Sequence, residues 1–200
     1  AKYVLLPVPY DGTSTFVKGA DKGPDAIIAA SDSLELYDLV YDCEACLAGI
    51  YTDKPSFDFS TPDNMVDSVY RRVQHFLSQG KRIGLLGGEH SISVGAIRAM
   101  SEQFENMSVL QIDAHADLRD EYHGSPYNHA CVMRRAQDVA NVVQVGIRNV
   151  CTEERHNIVA DNIFYAHNIA GQYNGWQEKV LRQLTNNVYI TIDLDGKILM

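Results

Sequence analysis

Short apolar runs rich in β-branched residues alternate with segments of helical periodicity along most of this 200-residue chain. Runs of this length are typical of strands that are buried on both faces of a sheet. The predicted strands are Val4–Val8, Ile83–Leu86, Val109–Ile112, Val142–Ile147, Ile163–Ala166 and Val188–Ile192. Such alternation predicts an α/β fold in which helices cover both faces of a mainly parallel sheet.

The clearest helical pattern lies between the first two strands, over Asp63–Gln79, where apolar residues recur every three to four positions and Gly80 is placed to end the helix. The other predicted helices are Pro24–Ala30, Ser91–Phe104, His129–Gln137, Thr152–Ala160 and Trp176–Leu184. No internal repeat or long polar linker interrupts the chain. We therefore expect a single domain over residues 1–200.

Composition excludes several function classes. A net charge of −9 argues against a nucleic-acid partner, because phosphate binding requires a basic face. No apolar run approaches the roughly 18 residues that span a bilayer, and the first seven residues are too short for a secretory signal, so we expect a cytoplasmic protein without a membrane partner. Cys43 and Cys46 have no second pair at zinc-ribbon spacing, so we expect reduced cysteines.

Three segments place carboxylates and imidazoles directly after apolar runs. Asp113-Ala-His115-Ala-Asp117 follows Val109–Ile112, and Asp193-Leu-Asp195 follows Val188–Ile192. His90 follows two glycines that let the backbone pass close to a site. Ligands in open α/β sheets collect at the carboxyl ends of the strands, so these side chains are expected to converge there. Alternate residues of an extended segment also point the same way, which favours a shared ligand face.

The donor set indicates a pair of divalent cations. Carboxylate oxygens with a minority of imidazoles suit Mn²⁺, or Mg²⁺, Fe²⁺ or Co²⁺, better than a thiolate-type zinc site. Several neighbouring carboxylates repel one another unless cations neutralise them, and a metal pair can activate water at neutral pH. Taken singly, Asp193 and Asp195 could form a turn or a helix cap, and His90 could be a buried or capping residue. Their combination favours the metal interpretation.

At these residues the chain resembles the ureohydrolase family of arginases, agmatinases and formimidoylglutamases. Gly-Gly-Glu-His-Ser, Asp-Ala-His-Ala-Asp and Ile-Asp-Leu-Asp are similar to the three metal motifs of the family, in the same order. The Pro7–Ser14 segment and His129–Arg135 look more agmatinase-like than arginase-like. The resemblance implies a three-layer α/β sandwich around a parallel sheet, assembled as a homo-oligomer of three or six subunits.

The resemblance also implies site roles. One Mn²⁺ would be held by His90, Asp113, Asp117 and Asp193, and the second by Asp113, His115, Asp193 and Asp195. Asp113 and Asp193 would then bridge the two ions. The family places a proton-carrying histidine a short distance after the second motif, where His129 fits best and His123 is the alternative.

The implied reaction is hydrolysis of a small guanidino substrate, agmatine being favoured, to urea and a primary amine. Arginase, guanidinobutyrase and formimidoylglutamase activities remain alternatives. A non-catalytic metal-binding fragment or pseudoenzyme is an alternative of another class, because the family pattern breaks off after Asp195, where the residues are Gly196-Lys-Ile-Leu-Met. The domain is accordingly expected to be incomplete at its C-terminus. An amidino- or deacetylase-type hydrolase is a further possibility.

Overall fold

The computed structural model describes residues 1–171 and 175–199, and the chain divides into two compact units, Ala1–Gly95 and Ala96–Met200. The division falls inside one helix, Ile92–Gln103. Each unit contains its own parallel sheet. The single domain over residues 1–200 stays a prediction.

Unit 1 is built on a three-stranded parallel sheet in the order β4-β1-β5. Its elements in chain order are β1 (Tyr3–Val8), α1 (Gly23–Ser31), β2 (Tyr37–Asp38), β3 (Cys43–Glu44), β4 (Ile50–Thr52), α2 (Pro62–Leu77), β5 (Arg82–Gly87) and the start of α3 (Ile92–Gln103). The strands β2 and β3 form a short antiparallel hairpin. Val4, Leu6 and Val8 alternate along β1 and are buried, as expected for one covered face.

The helix α2 shows why its sequence folds as it does. Thr61 caps its N-terminus by accepting a hydrogen bond from the Asn64 amide (3.1 Å), and Pro62 occupies the first turn, where its missing N–H costs nothing. The side chains that share its buried face are Met65, Val66, Val69, Val73 and Phe76. After the helix, Gly80 adopts a φ of 68°, in the left-handed region that glycine tolerates best.

Unit 2 contains a four-stranded parallel sheet in the order β8-β7-β6-β9. Its elements in chain order are the rest of α3, β6 (Met107–Ile112), α4 (Val132–Gln137), β7 (Asn141–Ile147), β8 (Ile163–Tyr165), α5 (Ala166–Ile169), α6 (Trp176–Gln183) and β9 (Asn187–Ile192). The 3-10 helices are His129–Cys131, Thr152–Asn157, Ala160–Asn162 and Leu194–Leu199. The central strand β6 pairs with β7 on one side and with β9 on the other.

A hydrophobic cluster holds α6 against this sheet. Val143 and Val145 of β7 and Val180 of α6 are buried together. The partly buried side chains that pack around them are Leu110, Phe164, Ile169, Trp176 and Leu184. Since the cluster contains residues of several strands, it stabilises the sheet whose strand ends carry the predicted ligands.

The structure confirms the mainly parallel α/β class and all six predicted strands, with Ala166 shifted from the end of β8 to the start of α5. The helix predicted over Thr152–Ala160 was wrong in type, because this stretch is a 3-10 helix that ends at Asn157. The strands β2, β3 and β4 were not predicted. All four cysteines are free. Among the described residues, no helix is both long and apolar enough to cross a membrane.

Candidate metal centre

The segment Asp113–Asp117 lies at the carboxyl end of the central strand β6 and is held by backbone hydrogen bonds to β7 and to the residue that follows β7. The Asp113 amide donates to the Val145 carbonyl (3.1 Å), and the Arg148 amide donates to the Ala114 carbonyl (2.9 Å). Asp113 is 1% exposed and Asp117 is 7% exposed. These backbone hydrogen bonds therefore fix the main chain that carries the two carboxylates.

Two glycines permit this close packing around Asp113. Gly146 adopts a φ of 92°, and a Cβ placed there would lie 3.0 Å from the Asp113 carbonyl oxygen. A Cβ at Gly196 would lie 2.9 Å from the Asp113 amide nitrogen. Larger residues at either position would push the backbone away from Asp113.

Within unit 2, the structure brings four of the predicted ligands together. One ligand atom each of Asp113, His115 and Asp195 lies within 4.8 Å of the others, and an oxygen of Asp117 lies within the same distance of Asp113. His115 Nδ1 is 3.0 Å from an Asp195 carboxylate oxygen and 3.8 Å from one of Asp113. Asp113 is thus the residue that neighbours both Asp117 and the His115–Asp195 pair.

The electrostatics of this cluster favour a cation. Burial and the nearby carboxylates of Asp193 and Asp113 together raise the pKa of Asp195 above its ordinary value, whereas its hydrogen bond from the Ala114 amide (3.1 Å) and the His115 imidazole oppose the rise. Carboxylates that raise the pKa of a neighbour in this way repel one another, and a bound divalent cation would relieve that repulsion. The oxygen and imidazole donors match the preferences of Mn²⁺ and similar ions.

The remaining predicted ligands are placed less centrally. Asp193 is half-buried at the end of β9, and its carboxylate accepts a 3.4 Å hydrogen bond from the Asp195 amide. His90 is half-buried in the turn between β5 and α3 of unit 1. The residue before it, Glu89, is buried and accepts hydrogen bonds from the side chains of Thr13 (2.8 Å) and Ser91 (2.9 Å). The turn that carries His90 is therefore anchored within its own unit.

The candidate proton carrier His129 begins a 3-10 helix that is joined to the Asp117 region by backbone hydrogen bonds. The amides of Met133 and Arg134 donate to the Asp117 carbonyl (3.0 and 3.2 Å), and the Arg119 amide donates to the Ala130 carbonyl (3.1 Å). These bonds close the loop between Asp117 and the helix and hold the His129 segment beside Asp117.

The alternative, His123, is exposed at the corner of a tight turn. It has a φ of 50°, and the turn is closed by mutual backbone hydrogen bonds between Tyr122 and Ser125 (3.0 and 3.2 Å). The Tyr122 ring contacts the rings of both histidines, with centroid separations of 4.3 Å to His123 and 6.2 Å to His129. The backbone next to His129 is thus hydrogen-bonded to Asp117 and Arg119, whereas the His123 turn is closed by bonds between its own residues.

Sequence reasoning missed the polar residues that support the cluster. Gln111 and Gln144 are buried glutamines of β6 and β7, and Gln111 donates a hydrogen bond to the Asp113 carboxylate. Arg148 donates to the Asp195 carbonyl (2.8 Å) rather than to a carboxylate. A polar residue inside an otherwise apolar strand was the signal that could have identified Gln111, because buried amides require partners.

Comparisons with known proteins place these features in one family. A family model described as "Arginase family" matches residues 1–197. The chain is 39% identical to an N(1)-aminopropylagmatine ureohydrolase of Synechocystis sp. over 206 aligned residues, covering 98% of this chain and 67% of that protein. It is 32% identical to an agmatinase of Pyrococcus horikoshii, covering 98% of this chain and 68% of that protein.

A solved structure gives the same result. The fold superimposes on the crystal structure of agmatine ureohydrolase of Thermoplasma volcanium with a TM-score of 0.83 and 33% sequence identity, covering 98% of this chain and 68% of that one. The similarity thus extends over almost all of this chain and about two thirds of each relative.

Proposed function

Because the chain belongs to the arginase family of amidinohydrolases, we propose that it is a Mn²⁺-dependent ureohydrolase that releases urea and a primary amine from an agmatine-type substrate. The names of its relatives support this substrate class, since they are called agmatinase or N(1)-aminopropylagmatine ureohydrolase. Both named substrates are cationic amines that carry a guanidinium group. An acidic cluster in an acidic chain suits the binding of such a cation.

The observation that carries the proposal is the position of Asp113. Its buried carboxylate lies within 4.8 Å of ligand atoms from Asp117, His115 and Asp195. A carboxylate that lies close to both Asp117 and the His115–Asp195 pair is suited to be shared by two cations. In this proposal His90, Asp113, Asp117 and Asp193 would hold one ion and Asp113, His115, Asp193 and Asp195 would hold the other, so Asp113 and Asp193 would belong to both sets.

The chain's own residues would divide the work of the reaction. Two divalent cations, when bound, lower the pKa of water and stabilise the negative charge that develops during attack on the guanidinium carbon. The carboxylates of the cluster would hold those cations. The leaving amine must depart with a proton, and the anchored His129 is the group we assign to carry it.

The direct test is urea release by the purified protein after loading with Mn²⁺. Agmatine and N1-aminopropylagmatine should be cleaved, and arginine and guanidinobutyrate should be cleaved more slowly because each adds a carboxylate to an acidic site. Asp113→Ala provides the matched inactive control. Two bound Mn²⁺ ions without urea from any of the four compounds would contradict the enzymatic proposal and favour a non-catalytic metal-binding protein.

A further inference from the structure

Two buried glutamines of the unit 2 sheet contact each other and the segment Asp113–Asp117. Gln111 of β6 and Gln144 of β7 are paired in the parallel register, and they are 0% and 3% exposed. Side chains at paired positions of neighbouring strands lie on the same face of a sheet. Burying two amides costs free energy unless their donors and acceptors are paired.

The hydrogen bonds of this pair lead to the Asp113 carboxylate. Gln144 Nε2 donates to Gln111 Oε1 (2.6 Å) and to the Ala116 carbonyl (2.7 Å). Gln111 Nε2 then donates to Asp113 Oδ2 (2.7 Å) and to the His115 carbonyl (3.2 Å). The other carboxylate oxygen, Asp113 Oδ1, accepts from the His115 amide (2.8 Å).

The orientation of both amides is set by the acceptors at the two ends of this series of hydrogen bonds, the Asp113 carboxylate and the Ala116 carbonyl. Turning the Gln111 amide over would place its oxygen against the Asp113 carboxylate and its NH₂ group against that of Gln144. Turning the Gln144 amide over would place its oxygen against the Ala116 carbonyl and against Gln111 Oε1. Only the observed orientation of the two amides matches a donor with an acceptor at every contact. In that orientation Gln111 presents a donor to Asp113.

We propose that Gln111 and Gln144 are positioning residues that orient the Asp113 carboxylate for metal binding. This inference rests on the proposed function, in which Asp113 bridges the two cations. Gln111 acts on Asp113 directly, and Gln144 acts through Gln111 by fixing its amide. Hydrogen bonds to a ligating carboxylate hold it in the geometry that the ion requires, and loss of such support typically lowers metal affinity about 10–100-fold.

A purely structural role for the two amides makes a different prediction. If they only fill the sheet interior, replacing either one changes stability and leaves the Mn²⁺ affinity of the folded protein unchanged. If Gln144 acts on Asp113 through Gln111 (the relay), replacing either residue lowers the Mn²⁺ affinity, and the effects of the two substitutions are not independent. A double-mutant cycle on metal affinity separates these cases, because coupling between residues appears as non-additivity.

The test is to measure Mn²⁺ dissociation constants by isothermal titration calorimetry for four proteins: wild type, Gln111→Met, Gln144→Met and the double variant. Methionine keeps a similar length and removes the amide. We expect about a 10–100-fold weaker affinity for Gln111→Met and a smaller loss for Gln144→Met. In the double variant, Gln144→Met should add nothing to the loss caused by Gln111→Met.

Gln137→Met is the matched control, because the side chain of this glutamine donates to the Asn157 carbonyl (2.9 Å), away from Asp113–Asp117. Its Mn²⁺ affinity should equal that of the wild type. Circular dichroism of the metal-free proteins checks folding, and Gln144→Met alone retains the prediction if Gln111→Met does not fold.

Unchanged affinity in folded Gln111→Met and Gln144→Met, or independent losses that add in the double variant, would overturn the relay while leaving the proposed function intact. Failure of the wild-type protein to bind Mn²⁺ would instead reject the metal-dependent function, and the relay with it.

Discussion

The segments Asp113–Asp117 and Asp193–Asp195 follow neighbouring strands of the unit 2 sheet, β6 and β9, yet their surroundings differ. Asp113 follows the central strand β6, which is paired on both sides, and its carboxylate is 1% exposed and hydrogen-bonded at both oxygens. Asp195 follows β9, which pairs only with β6 among the described strands, and its side chain is 38% exposed. Val188, Ile190 and Ile192 of β9 are also exposed.

This difference indicates that the candidate site has two halves. The half around Asp113 is preorganised by protein contacts, and the half around Asp195 depends on a bound cation. The Asp113 segment is held by its own protein contacts, which are the backbone hydrogen bond to β7 and the hydrogen bond from Gln111. Asp195 has a raised pKa, because burial and neighbouring carboxylates disfavour its charged form, and a cation is what would lower that cost. The predictions below test whether the two halves respond differently.

The largest expected effect is that of Asp113→Ala. Since this carboxylate lies close to both Asp117 and the His115–Asp195 pair, its removal should abolish binding of both Mn²⁺ ions and all urea release. Native mass spectrometry of the Mn²⁺-loaded protein should change from two bound ions to none. A variant that still carries two ions would show that Asp113 does not bridge.

The next effect concerns turnover without metal loss. His129→Ala should lower kcat for agmatine about 10²-fold or more, as expected for loss of a proton-transferring group, with two Mn²⁺ ions retained. His123→Ala is the matched control, because His123 lies on the same loop but at an exposed turn, and it should change kcat little. The opposite ranking of the two variants would assign the proton to His123.

Metal removal should affect the dependent half more than the preorganised half. Each Mn²⁺ ion, at about 100 times its dissociation constant, should stabilise the protein by about 2.7 kcal/mol, which a rise in Tm on loading would report. Hydrogen exchange should then slow more at the amides of Asp195 and Gly196 than at the amide of Asp113. Equal protection of both segments in the metal-free protein would remove the distinction between the halves.

The smallest effect is expected from Asp195→Asn. Asparagine retains an oxygen to accept the Ala114 amide but removes a charge that Asp193 and Asp113 repel, so the metal-free protein should gain up to about 2 °C in Tm. The same variant should bind one Mn²⁺ ion fewer. A lower metal-free Tm would mean that the charge of Asp195 stabilises the unoccupied site.

Much of the fold could be predicted from the sequence because the central strands are apolar runs rich in β-branched residues. The strand β4 could not, since its three residues Ile50–Thr52 are too few to show a period. Thr152–Ala160 contains good helix formers, but tertiary hydrogen bonds override that propensity. Buried Glu154 accepts from the Leu118 amide (2.9 Å), and Asn157 donates to the Leu118 carbonyl (2.9 Å), which favours the shorter 3-10 helix.

The candidate site shows the same limit. Asp113, His115, Asp117 and Asp195 were predicted because ligand residues after apolar strands converge at one sheet edge, and the structure brings them together. The Gln111–Gln144 pair was not predicted, because the two residues are 33 positions apart and their contact depends on the register of β6 against β7. A register cannot be deduced from two strands that are not joined by a hairpin.

The most direct test of the central claim is an anomalous difference map from crystals grown with Mn²⁺. The proposed site predicts two peaks, each in contact with the carboxylate of Asp113, one of them also in contact with His115 and Asp195 and the other with Asp117. A single peak, or peaks that do not share Asp113, would contradict a dinuclear centre built around this residue.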